Sequence, residues 1–139
     1  FSTNINLKYL DLNNNKLSGP LPPFTSNLLL KELVVFNNQL SGPLPPDFSA
    51  TPLLQTFFAY NNDFSGTLSP TLFDLKNITD VILSGNANLK GTLPSVLSTP
   101  SLTSIVIEGC AFTGPLPKTI TSPLASFYLA GNGFTSSIP

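Results

Sequence analysis

Apolar side chains return along this chain in one spacing, L-x-x-L-x-L, and a polar residue closes each set at a fixed offset. The stretch from Leu7 to Pro22, LKYLDLNNNKLSGPLP, shows the whole unit. Leu30 to Pro45 repeats it as LKELVVFNNQLSGPLP and Leu54 to Ser69 as LQTFFAYNNDFSGTLS. Ile78 to Pro94, ITDVILSGNANLKGTLP, carries one extra residue after Asn86. Leu102 to Pro117 and Leu124 to Pro139 complete the series. The anchor position runs Asn15, Asn38, Asn62, Asn86, Cys110 and Asn132, so the periods are 23, 24, 24, 24 and 22 residues. A period of this length predicts stacked coils, none of which buries its apolar side alone.

Within each unit the last two inward positions lie two residues apart, which is strand alternation. The predicted inward residues are Leu7, Leu10 and Leu12 in the first coil, then Leu30, Leu33 and Val35, Leu54, Phe57 and Ala59, Ile78, Val81 and Leu83, Leu102, Ile105 and Ile107, and Leu124, Phe127 and Leu129. Stacked coils should pair these strands into a parallel sheet at about 4.8 Å spacing. A chain that turns off a strand leaves backbone groups to be satisfied, and an inward Asn amide offers donors and an acceptor for them. Cys110 does this less well, so its coil is expected to be the weakest rung. Leu17, Leu40, Phe64, Leu89, Phe112 and Phe134 follow as a second inward position. Gly19, Gly42, Gly66, Gly91 and Gly114 come two residues later, with Ser136 in their place in the last coil. Phe24, Phe48, Phe73, Leu97 and Ile120 are expected to close the back as an apolar spine.

The motif L-S-G-x-L-P, with its preceding L-x-x-L-x-L-x-x-N, resembles the plant-type subclass of the leucine-rich repeat family over nearly all of residues 5–139. That resemblance implies a right-handed α/β repeat solenoid of about six 22–24-residue coils, with a curved parallel sheet and little helix. It also implies a second short strand around each S-G-x-L segment. Family members usually carry cysteine-paired caps, and this sequence shows none. Residues 1–139 are therefore expected to form a single solenoid, uncapped at both ends, as part of a longer solenoid or an assembly. Phe1 to Asn6 reads as the tail of a preceding coil. Joining Pro139 to Phe1 would place Asn132 and Asn15 22 residues apart, which keeps the period and would allow head-to-tail stacking.

Only 9% of residues are charged, against about 25% in a usual globular chain, so the surface is neutral and rich in Asn, Ser and Thr. All six cations are lysines and the net charge is −1, which supplies no basic patch for nucleic acid. No apolar run is long enough to span a membrane. The chain has no histidine, so a Ser-His-Asp arrangement is impossible and no Cys/His metal spacing exists. Glu32 and Asp80 share a strand column two coils apart, and the other acids converge on no pair. The reading is a non-enzyme with no catalytic residues, no metal and no cofactor. Cys110 reads either as a small core residue or as a reactive thiol, and the latter would want a positive neighbour where the nearest charge is Glu108. Thr51-Pro52, Thr99-Pro100 and Ser122-Pro123 mark one corner of three coils, as rigid turns or as sites for O-linked glycans.

The outward strand positions carry the functional expectation. One column reads Asp11, Val34, Phe58, Ile82, Val106, Tyr128, and the next reads Asn13, Phe36, Tyr60, Ser84, Glu108, Ala130. Val34, Phe36, Phe58, Tyr60, Ile82, Val106 and Tyr128 thus form an apolar, aromatic band. A contiguous patch of this kind marks a contact surface, and the competing explanation is strand propensity alone. The one N-glycosylation sequon is Asn77-Ile78-Thr79, an acceptor in a secreted chain. Together with the resemblance to receptor-like ectodomains and secreted repeat proteins, this implies an extracellular or cell-surface recognition scaffold. It would bind a protein, peptide or polysaccharide through the sheet face and carry an N-linked glycan. The alternative is a glycoprotein subunit of an extracellular fibre, built by head-to-tail self-association.

Overall fold

A computed structural model describes residues 4–138. The parts of the sequence-based expectation that concern residues 1–3 and a Pro139–Phe1 junction lie outside the described residues. The front of the molecule is a six-stranded parallel sheet of Tyr9–Asp11, Glu32–Val34, Thr56–Phe58, Asp80–Ile82, Ser104–Val106 and Ser126–Tyr128, in chain order. The register follows the repeat without slippage: Leu10 lies beside Leu33, which lies beside Phe57, then Val81, Ile105 and Phe127. These central residues point inward and make the core, with Leu33, Phe57, Val81 and Ile105 fully buried. A one-residue slip would turn that whole row to solvent, so burial fixes the register.

The second strand implied by the resemblance is present. Ser18–Gly19, Gln39–Pro43, Asp63–Thr67, Asn88–Gly91, Ala111–Gly114 and Gly133–Phe134 form another six-stranded parallel sheet. Leu40, Phe64, Leu89 and Phe112 fill the core beneath it. Among the described residues the back carries only a 3-10 turn at Pro70–Asp74 and a two-stranded pairing of Val96–Leu97 with Thr119–Ile120. Six front strands enclose five complete turns, and the described part of the sixth coil carries only its front and second strands. The six coils expected from the repeats are thus five full turns and a partial one.

Phe24, Phe48, Phe73 and Leu97 form the buried back spine as expected. Ile120 does not: it is 43% exposed and borders an apolar hollow of about 610 Å³ with Phe127, Leu129, Phe134 and Ile138. Leu17, in the first coil, is likewise exposed where Leu40 and Phe64 are buried. A solenoid residue is covered only by the coils on both sides of it, so inward position alone does not bury an end coil.

Candidate functional site: the exposed face of the front sheet

The face is positioned by the corner where the chain leaves each front strand. Asn38 shows the device. Its Nδ2 donates to Leu12 O in the preceding coil at 3.0 Å and to Val35 O at 3.0 Å in its own. Its Oδ1 accepts from Leu17 N–H at 3.0 Å. Asn62 repeats the pattern with Val35 O, Ala59 O and Leu40 N–H, and Asn86 with Ala59 O, Leu83 O and Phe64 N–H. Asn132 does so with Ile107 O, Leu129 O and Phe112 N–H. Each amide therefore pins one coil to the one before it and holds the outward columns in line.

Cys110 keeps only the donor half, its thiol facing Leu83 O at 3.4 Å. Burial pushes the thiol pKa up, which keeps it protonated and unreactive. The acceptor half is replaced locally. The extra residue in the fourth coil lets Leu89 N–H reach Asn86 O at 3.0 Å, so the bond that a sixth Asn would accept is made within the coil. The insertion and the cysteine are one arrangement, and the spacing irregularity in the sequence was its visible trace.

Sequence reasoning missed the residue just before each anchor. Asn14, Asn37 and Asn61 have φ of 53°, and Gly85, Gly109 and Gly131 lie between 61° and 71°. Asn and Gly are the residues that tolerate this left-handed conformation. The dipeptides Asn-Asn, Gly-Asn and Gly-Cys at a 22–24-residue period were the available signal. The three asparagines also form an outer rung, with Asn37 Nδ2 donating to Asn14 Oδ1 at 2.7 Å and Asn61 Nδ2 to Asn37 Oδ1 at 2.9 Å. The strand column shared by Glu32 and Asp80 is a third outward column of the face, which the sequence reading did not count with the other two: Tyr9, Glu32, Thr56, Asp80, Ser104, Ser126.

The structure brings the expected band together. Val34, Phe58, Ile82, Val106 and Tyr128 are successive partners across the sheet. Val34 is buried at 8% exposure and contributes floor, Phe58, Ile82 and Val106 are half-buried, and Tyr128 is 56% exposed. Phe36 and Tyr60 stack with ring centroids 4.3 Å apart and planes 8° from parallel. Both lie beyond the ends of Glu32–Val34 and Thr56–Phe58, so strand propensity does not account for them. Stacking spends one flat side of each ring on the other.

The corner residues Thr51, Thr99 and Ser122 are buried. Thr51 Oγ1 donates to Phe48 O at 3.0 Å and Thr99 Oγ1 to Phe73 O. Those two hydroxyls serve the turns, which favours the structural reading of the corners over glycan attachment. Asn77 is exposed just ahead of the fourth front strand, with Nδ2 donating to Pro52 O at 3.1 Å. Among the described residues no group of three His, Cys, Asp or Glu side chains is gathered as a metal site, and no helix is long and apolar enough to cross a membrane.

A stacked-coil molecule with two parallel sheets and one open aromatic face defines the leucine-rich repeat class, and comparison with known proteins agrees. The Leucine Rich Repeat family pattern matches residues 6–28 and 29–50. No curated protein matches the chain. Among solved structures, Pollen Receptor Kinase 3 is 31% identical with a TM-score of 0.83, over 97% of this chain and 66% of that one. The plant peptide hormone receptor RGFR1, solved in complex with RGF2, is 25% identical with a TM-score of 0.72, over 99% of this chain and 27% of that one. The ectodomain of the Arabidopsis receptor kinase HAESA, solved in complex with an IDA peptide hormone ligand, shares the fold at 22% identity and a TM-score of 0.85, over all of this chain. The chain spans 28% of the HAESA chain's length and 29% of the TDR receptor's. This chain belongs to the leucine-rich repeat family, and its repeats are of the plant type.

Proposed function

We propose that this chain is an extracellular, non-catalytic recognition module that binds a protein or peptide segment across the front sheet. The observation that carries the reading is the stacked Phe36–Tyr60 pair beside Phe58, Ile82 and Val106. The rings of Phe36 and Tyr60 lie beyond the strands, where strand propensity does not account for them. The RGFR1 and HAESA structures, each solved with a peptide hormone, support the same assignment. A polysaccharide is the weaker ligand, because sugars stack on open ring faces and the pairing takes one face of each ring. Phe58→Ala combined with Tyr60→Ala tests the face. With a peptide selected from a displayed random library as probe, the variant should keep its fold and lose about 2 kcal/mol or more of binding. Unchanged affinity would leave the band without a binding role.

Asn77 is proposed to carry an N-linked glycan on the secreted protein, supported by its exposure at a coil corner. Intact mass before and after amidase treatment tests it; an unmodified Asn77 peptide from natural material would remove the idea and weaken the extracellular assignment.

A second reading is assembly into an extracellular fibre through the end coils. It is supported by the apolar hollow at Phe127, Phe134 and Ile138, and by another of about 470 Å³ at Ile5, Leu28 and Leu29. Filaments under the electron microscope would favour it, and dispersed particles would argue against it.

A further inference from the structure

Building on the proposed peptide-binding face, we infer that its ligand carries a basic side chain within two positions of a bulky apolar one, and that Glu32 and Asp80 select it. Three outward columns make the face, and they hold four carboxylates, Asp11, Glu32, Asp80 and Glu108, and no cation. The lysines nearest to it, Lys8 and Lys31, stand on the flanking column ahead of Tyr9 and Glu32. Next to Asp80 and Ser104 that flanking column holds Thr79 and Thr103, which bear no charge.

Glu32 pairs with Thr56 and Thr56 with Asp80, so a small residue separates the two carboxylates across about 10 Å of sheet. Both acids are half-buried, and neither carboxylate has a hydrogen-bond or ion-pair partner among the described residues. A lysine or arginine head seated over Thr56 would lie about 5 Å from each acid's strand. Phe58 lies two residues along the same strand, about 7 Å away, which is the separation of same-side side chains in an extended peptide. One ligand side chain thus meets the acids while its neighbour meets Phe58 and the Phe36–Tyr60 pair. The apolar band supplies contact, and the carboxylates decide sign: a like-charged ligand is repelled and a cationic one is drawn in.

The test uses a phage-displayed library of random dodecapeptides selected on the folded chain. Three proteins are compared: wild type, Glu32→Gln with Asp80→Asn, and Phe36→Ala with Tyr60→Ala, each checked for native circular dichroism. Wild type should enrich Lys or Arg within two positions of Phe, Leu, Ile, Tyr or Trp. The selected peptides should bind the amide variant about fivefold more weakly, and their affinity should fall with added salt. Their charge-neutral analogues should bind wild type and the amide variant alike. Selected peptides without a basic residue, lost only on the aromatic variant, would overturn the charge assignment and leave the binding face standing. Peptides that bind all three proteins equally, or no enrichment at all, would overturn both.

Discussion

In the first three coils the residue ahead of the anchor is Asn14, Asn37 or Asn61; in the last three it is Gly85, Gly109 or Gly131. Both sets occupy the same left-handed corner. The asparagines bear some conformational cost and recover it through side-chain bonds from coil to coil, whereas the glycines avoid the cost and bond through backbone alone. The two solutions do not interchange freely. A Cβ at Gly85 would come within 2.5 Å of Asn61 Oδ1, and one at Gly131 would press on the Gly109 backbone at 3.2 Å. The anchors do not follow that division. Asn38, Asn62 and Asn86 link the first four coils in series, Cys110 interrupts the series just after the extra residue of the fourth coil, and Asn132 resumes it. The stacked Phe36–Tyr60 pair sits beside the asparagine corners, while the later coils present Ser84, Glu108 and Ala130 in that column. Rigid corners and large outward rings coincide in the N-terminal half.

Substitution at the anchors should separate an asparagine rung from the cysteine rung most strongly. Asn62→Ala leaves Leu40 N–H without its acceptor in a buried site and takes one of two amide donors from Val35 O and from Ala59 O, and should cost about 3 kcal/mol. Cys110→Ala loses one weak thiol bond and a small volume, so about 1 kcal/mol is expected. Urea unfolding of the two variants reads the difference, and equal costs would mean that the two rungs are equivalent after all.

Removal of Ala87 should come next. It restores the two-residue step from the anchor to the second inward residue but takes away the turn that satisfies Leu89 N–H, at a cost of about 2 kcal/mol. The same deletion in a Cys110→Asn background should cost at least ~1 kcal/mol less, because the new amide oxygen can accept that N–H. Additive costs would show the insertion and the cysteine to be independent.

The smallest effect is expected at the outer rung. Asn37→Gly gives up exposed bonds to Asn14 and Asn61, which water replaces, and relieves the left-handed backbone. Stability should change by less than about 0.5 kcal/mol, although the loop should become more mobile on hydrogen exchange. A loss comparable to that of Asn62→Ala would make the outer asparagines structural equals of the anchors.

Most of the fold was legible because one period governs it. Leu10, Leu33, Phe57, Val81, Ile105 and Phe127 recur with a polar anchor at constant offset, and no other arrangement buries them all. The errors fell where repetition stops supplying information. Ile120 matches its buried counterparts in sequence and differs only in what lies beside it. Cys110 shows in the sequence as a lost amide, whereas the offsetting bond at Leu89 depends on an insertion in the neighbouring coil. On the face, alternation gave the column through Phe58 and Ile82. The column through Thr56 was legible as Glu32 and Asp80 two coils apart, but Glu32, Thr56, Asp80 and Ser104 are an ordinary polar set until the sheet register fixes the two acids around one threonine. The stacking of Phe36 on Tyr60 needed the distance between coils, which no single repeat contains.

The account turns on the front face being where a ligand sits, in the half with asparagine corners. Amide and methyl chemical-shift mapping tests this directly, with the tightest library-selected dodecapeptide titrated into the labelled chain. The account predicts shifts centred on Thr56, Phe58, Tyr60, Val34, Phe36, Asp80 and Ile82, with the back strands at Val96 and Ile120 unmoved. Shifts centred instead on Ile120, Phe127 and Phe134, or on Ile5 and Leu28, with the front columns silent, would contradict it.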